Sequence, residues 1–138
     1  MVLTLGVMLG LHLSVPIVTL VEPPYAYLGL APILVGLIIS ASAAKAFRQV
    51  GTPVIPFEKS TTLVTDGWYR YTRNPMYLGL VIALIGVWIV LGTLSPLFAL
   101  VAFVWIISLQ FIRGEEQFLD EIFGEQYRSY KLRVRRWL

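Results

Sequence analysis

Residues 75–91 read PMYLGLVIALIGVWIVL, residues 92–95 read GTLS, and residues 96–112 read PLFALVAFVWIISLQFI. No charged side chain interrupts this stretch. Both apolar runs are far longer than a buried strand of about 4–8 residues, so they read as helices. At a rise of about 1.5 Å per residue each covers about 25 Å, slightly less than the roughly 30 Å hydrocarbon core of a bilayer. A thinned bilayer, or a further turn of helix in the interface, closes that gap. Four residues form the whole connection, which predicts an antiparallel helical hairpin. Asn74-Pro75 and Ser95-Pro96 each place a capping residue before a first-turn proline, the pattern of a helix start.

Two more apolar blocks precede the hairpin, at about 3–21 and 26–44, separated by Glu22-Pro23-Pro24. The composition is 57% hydrophobic and 14% charged, with mean hydropathy +0.76. A soluble domain carries about 25% charged residues, so too little polar surface is present here to cover a water-exposed globule. The expected fold is all-α and integral to the membrane, one domain over residues 1–138. It has about four transmembrane helices (3–21, 26–44, 75–91 and 96–112), a cytoplasmic loop, and a tail at 113–138 carrying an amphipathic helix. A cleaved signal peptide in place of the first helix would need a basic flank and a small-residue cleavage site, and neither stands there.

The charges set the expected orientation. All eleven Lys and Arg residues fall between Lys45 and Arg73 or between Arg113 and Arg136. The turns at Glu22-Pro23-Pro24 and 92–95 have none. The positive-inside rule then puts both termini and the central loop in the cytoplasm, which an even number of crossings satisfies. The net charge of +3 fits juxtamembrane residues meeting anionic membrane lipids and calls for no nucleic acid. Without cysteine, and with His12 as the single histidine, the chain has no disulfide framework, no thiolate nucleophile and no multi-histidine metal site. Gly51, Pro53, Pro56 and Gly67 argue against a long helix through the central loop.

Small residues mark packing faces. Gly79, Ala83 and Gly86 share one face of the third helix, and Gly29, Gly36, Ser40 and Ala44 a comparable stripe of the second; such stripes let helices approach closely in lipid. His12 is expected to hydrogen-bond a neighbouring helix, with a proton relay as the rarer use. Two features are candidates for chemistry. Arg73 precedes a helix start whose first amides, near Met76 and Tyr77, favour an anion. In the tail, a projection at 100° per residue puts Phe118, Leu119, Ile122 and Phe123 on one apolar face, with Glu115 in its middle and Glu116 on its flank. A carboxylate there is costly unless paired. It can pair with Arg113 or another arginine, cap a helix where Gly114 breaks the preceding one, reach headgroup water, or hold a cationic ligand. Tyr127, Tyr130 and Trp137, mixed with basic residues, suit the membrane interface. A zwitterionic amino-acid group would suit a site with Arg73-Asn74 on one side and Glu115-Glu116 on the other.

The run from Gly67 to Gly79, GWYRYTRNPMYLG, resembles the signature of the isoprenylcysteine carboxyl methyltransferase and phospholipid methyltransferase superfamily. The later Glu115-Glu116, with Leu119, Phe123-Gly124, Tyr127 and Tyr130, resembles its second signature. The two bracket a helical hairpin in the same order, and together they cover about the last two-thirds of the chain. The resemblance implies methyl transfer from S-adenosylmethionine to a lipidic or small apolar acceptor, through a carboxylate, amine or thiol, without a Rossmann domain; no GxGxxG follows a strand here. It implies cofactor binding by Arg73, Asn74, Tyr77, Gly79, Glu115 and Glu116, and no metal. Asn74 stands where the isoprenylcysteine enzymes have histidine, and the form Asn-Pro-Met-Tyr is closer to the lipid N-methyltransferases. A carboxylate acceptor would need no general base, whereas an amine or thiol must lose a proton. A non-catalytic membrane subunit and a small transporter-like protein are the alternatives; against transport, helices two to four hold almost no intramembrane polar residues.

Overall fold

Prolines decide where the helices begin and end. The computed structural model describes residues 1–49 and 62–138, and its named elements are all helical. The expectations for Gly51, Pro53 and Pro56 lie outside the described residues. Helix α1 is Val2–Ser14, shorter than the expected 3–21. Pro16 has no N–H and pushes the preceding residue out of the helical region, and Val15 has φ −141° and ψ 63°. The apolar run continues past the helix end in another conformation. Leu20 and Val21 donate to the Gly92 carbonyl at 2.7 and 3.1 Å, and Leu94 donates to the Val18 carbonyl at 2.9 Å. Gly92 sits at φ +73°, where a side chain is strained.

A 3₁₀ turn, Tyr25–Gly29, leads into α2, Leu30–Gln49, which starts later than the expected 26–44 and runs past Lys45. Helix α3 is Pro75–Leu91, as expected. Helix α4, Pro96–Ile106, passes through a π turn, Ile107–Ile112, directly into α5, Arg113–Phe123. Gly114 therefore does not break the helix. A lone glycine costs a helix only about 1 kcal/mol, and the extra residue of a π turn shifts the register of the side chains that follow it along the helix. Gly124, at φ +49°, ends α5 as expected, and α6 is Glu125–Arg133. Two helical runs, Tyr25–Gln49 and Pro96–Phe123, are long and apolar enough to cross a membrane; Val2–Ser14 and Pro75–Leu91 are shorter apolar helices.

The chain forms two compact units, Met1–Ile38 with Gly79–Ile106, and Ile39–Leu78 with Ile107–Leu138. In the first, Met8, Leu84, Ala99 and Leu100 form the core, surrounded by Leu5, Leu11 and Phe103. The glycine stripes meet as expected. A Cβ on Gly86 would lie 2.7 Å from the Ile33 nitrogen, and one on Gly36 would meet Ala83 at 2.5 Å, so any side chain there must push backbone apart. His12 Nδ1 lies 2.9 Å from Thr93 Oγ1, and Ser95 donates to the Leu11 carbonyl at 3.2 Å. The histidine is thus a hydrogen-bonding group between helix and turn. Glu22 is the single charged side chain of this unit; every lysine and arginine of the chain falls outside it. Leu13, Leu34, Ile38, Phe98, Val101 and Trp105 are exposed. An apolar surface this extensive is not stable against water, and lipid is the solvent it fits: the chain is a membrane protein.

In the second unit Tyr127, Tyr130 and Val134 are the core, packed against Leu63, Leu119 and Phe123. The two tyrosines, only 1% and 4% exposed, are interior residues and not the interface anchors expected of them. Burial is tolerable because the Tyr130 hydroxyl finds a partner, the Tyr69 carbonyl, at 2.7 Å. Ile122, expected on the buried face of α5, is exposed.

Candidate functional site

Within the second unit, the residues before α3 are fixed by the C-terminal tail. A 3₁₀ turn, Gly67–Arg70, turns Tyr69 inward and leaves Arg70 outside, paired with Asp66 at 2.7 Å. The Arg73 N–H then donates to the Arg135 carbonyl at 2.9 Å. The Arg136 carbonyl accepts from both Thr72 Oγ1 and Asn74 Nδ2 at 3.0 Å. Thr72 Oγ1 also accepts the Asn74 N–H at 3.2 Å. The Asn74 amide group is thereby spent on the tail.

The two glutamates have different surroundings. Glu116 is buried and takes two arginines: Arg136 through Nη2 at 2.6 Å and Nε at 3.0 Å, and Arg73 through Nη1 at 3.1 Å. The Arg73 contact is an ion pair without hydrogen-bond alignment, so Arg73 Nη1 and Nε both lack a hydrogen-bond partner among the described residues. Glu115, expected as the member needing a partner, has no hydrogen bond or ion pair among them. Burial, and then the neighbouring Glu116, push its carboxyl up from 4.5 to about 7. The pairing expected for Glu115 is made by Glu116 instead, because the helix leading into α5 sets which of two adjacent carboxylates meets the arginines.

Arg73, Asn74, Glu115 and Glu116 line one cavity with Phe47 and Tyr69, and with Tyr127 and Tyr130 behind them. Its open volume is about 30 Å³, enough for water; a nucleoside-sized ligand enters only by moving its walls apart. Tyr77 is half-buried on the first turn of α3, off this wall but within electrostatic reach of Glu115. Gly79 belongs to the first unit, against Gly36. Four of the six candidates thus surround one space. Sequence reasoning missed Arg136, Tyr69 and Phe47. Tyr69 lay inside the quoted motif, with nothing to single it out among its aromatic neighbours.

A helical membrane protein with an acid–arginine cavity built from these two motifs is the class that fold and site define. The model of the phospholipid methyltransferase family matches residues 24–126, and the chain belongs to that family. It is 36% identical over 104 residues to protein-S-isoprenylcysteine O-methyltransferase A of Arabidopsis thaliana, covering 74% of this chain and 53% of that protein. It is 40% identical over 78 residues to the protein-S-isoprenylcysteine O-methyltransferase of Schizosaccharomyces pombe, covering 55% of this chain and 32% of that one. An uncharacterized protein of Haemophilus influenzae is matched over its whole length, 63 residues at 38% identity. The chain spans about half or less of the length of the two isoprenylcysteine relatives.

Proposed function

We propose that this chain is a membrane methyltransferase that takes its methyl group from S-adenosylmethionine and passes it to a lipidic or small apolar acceptor. One observation carries the reading: Glu115, a half-buried carboxyl without a hydrogen bond or ion pair among the described residues, shares a cavity with Arg73, whose Nε and Nη1 make no hydrogen bond among them. Opposite charges with hydrogen-bonding capacity to spare on one wall suit an amino-acid zwitterion, with Glu115 on the ammonium and Arg73 on the carboxylate. S-adenosylmethionine, when bound, supplies an electrophilic methyl on a sulfonium sulfur. The chain's own contribution is to orient that methyl and exclude water. With Glu115 engaged, Glu116 tied to arginines and the Tyr69, Tyr127 and Tyr130 phenols all pushed up by burial, the cavity's described residues offer no free base. An acceptor that is already a carboxylate suits such a site, and the named relatives are O-methyltransferases.

Titration calorimetry on detergent-purified protein tests this. Ionised Glu115 is the binding form, and its carboxyl titrates near 7. Affinity for S-adenosylmethionine should therefore be level above about pH 7 and fall by up to about tenfold per unit below it, with proton release on binding at pH 6. Absence of binding at every pH overturns the proposal. A pH-independent affinity removes Glu115 from it.

The four-crossing arrangement, with both termini and the loop between α2 and α3 in the cytoplasm, belongs to the same proposal and is supported by the placement of the lysines and arginines. Reporter fusions after Glu22, Lys59, Thr93 and Leu138 should read out, in, out, in. A cytoplasmic signal at Thr93 would sink the topology.

A further inference from the structure

The polar groups around this cavity mostly have an occupation. Glu116 is shared by Arg73 and Arg136, the Asn74 amide donates to the Arg136 carbonyl, and the Tyr130 hydroxyl donates to the Tyr69 carbonyl. Tyr69 itself is different. It is 4% exposed, lines the cavity, and its hydroxyl has no hydrogen-bond partner among the described residues. The ring is held by Phe47, with centroids 5.3 Å apart, and the backbone by the bond from Tyr130. Neither contact uses the hydroxyl, so packing fixes a donor and leaves it idle. A buried hydroxyl without a partner destabilises the fold that carries it, and on a cavity wall such a group is placed to meet whatever enters the cavity.

Arg73 lines the same cavity, and its Nε and Nη1 are also buried and without hydrogen-bond partners among the described residues. The arginine cluster is short of one anion, since two guanidiniums, Arg73 and Arg136, share the one carboxylate of Glu116. Burial and the nearby Glu115 push the Tyr69 phenol well above its ordinary value, so at any working pH it is a neutral O–H that donates. A guanidinium that shares its one carboxylate and has N–H groups without hydrogen bonds, together with a rigid neutral donor, matches a carboxylate.

We propose that the Tyr69 hydroxyl and the Arg73 N–H groups left without hydrogen bonds form a carboxylate subsite that holds the α-carboxylate of S-adenosylmethionine. The assignment rests on the cofactor reading above and adds to it a residue and the part of the ligand it touches. Tyr69→Phe removes the hydroxyl alone and keeps the ring against Phe47 and the carbonyl for Tyr130. In the ligand-free protein its thermal midpoint should equal or exceed the parent's, because the group removed has no hydrogen-bond partner among the described residues. Its affinity for S-adenosylmethionine should fall about tenfold. Its affinity for the decarboxylated analogue, which keeps the nucleoside, sulfonium and amine, should stay within about twofold of the parent's, since the parent gains nothing from the hydroxyl with that ligand. Equal losses with both ligands, or a lowered midpoint with unchanged affinity, overturn the carboxylate assignment alone. A parent protein that binds neither ligand overturns the cofactor reading and takes this assignment with it.

Discussion

Glu115→Gln should leave the protein at least as stable as the parent and cost it more than tenfold in affinity for S-adenosylmethionine, while Glu116→Gln should destabilise it first. The difference follows from what each carboxylate touches. Glu116 holds Arg73 and Arg136; removing one partner of a buried ion pair leaves the others uncompensated and costs about 3–5 kcal/mol. Arg136 is partly open to solvent, which draws the expectation toward about 3 kcal/mol. Glu115 compensates no charge among the described residues. Its folded carboxyl titrates near 7 instead of 4.5, so the folded state binds its proton more tightly than the unfolded chain does. Stability therefore falls as pH rises from about 4.5 to about 7, and the penalty, on the order of 3 kcal/mol, is fully present above 7. Gln carries no such penalty. The midpoint of Glu115→Gln should exceed the parent's at pH 8, and the gap should close toward pH 5. Thermal midpoints at both pH values and ligand affinity, measured on the same purified variants, decide it. If the two variants lose stability equally, the division between them is wrong.

The same pair shows how far the sequence could be read. An apolar face carrying a carboxylate was visible on α5 because periodicity and cost together flag it. Which of two adjacent glutamates meets the arginines was not, because that depends on the π turn at Ile107–Ile112, a one-residue change of register that an apolar run conceals. Hydropathy likewise located the first apolar block but not its conformation; Pro16 carries that information, and only if local geometry is allowed to overrule composition. The glycine faces of α2 and α3 were legible because lipid leaves shape as the main basis for helix pairing. Tyr127 and Tyr130 were misplaced for the converse reason: beside arginines and lysine, an aromatic reads as an interface anchor, and only the tertiary partner of its hydroxyl reveals an interior residue. Arg136 lay outside every local pattern. It acts on residues some sixty positions earlier in the chain, where no periodicity reaches.

That long-range contact gives the largest expected effect. A chain ending at Val134 should lose S-adenosylmethionine binding by more than about a hundredfold, because the tail supplies both ends of the site's anchorage. The Arg135 and Arg136 carbonyls accept from the Arg73 N–H, Thr72 Oγ1 and Asn74 Nδ2, and the Arg136 guanidinium holds Glu116. Thr72 and Asn74 are buried, and each donor stripped of its acceptor costs about 1–3 kcal/mol. With the ion pair added, the loss approaches the roughly 5–15 kcal/mol that holds a whole domain together. Single substitutions should fall in order beneath the truncation. Arg136→Ala keeps its carbonyl and loses its guanidinium, so affinity should drop by an intermediate amount. Arg135→Ala keeps the only group it contributes, an acceptor on the backbone, and should bind like the parent. The competing explanation is electrostatic: shortening the tail removes two positive charges that meet anionic headgroups. Arg133→Ala combined with Arg135→Ala removes the same charge from exposed positions while leaving both carbonyls and Arg136 in place. Near-parental affinity in that double variant, beside the collapse of the truncated one, would assign the effect to the backbone acceptors and Arg136. An equal collapse would assign it to charge, and the tail would lose its place in the site.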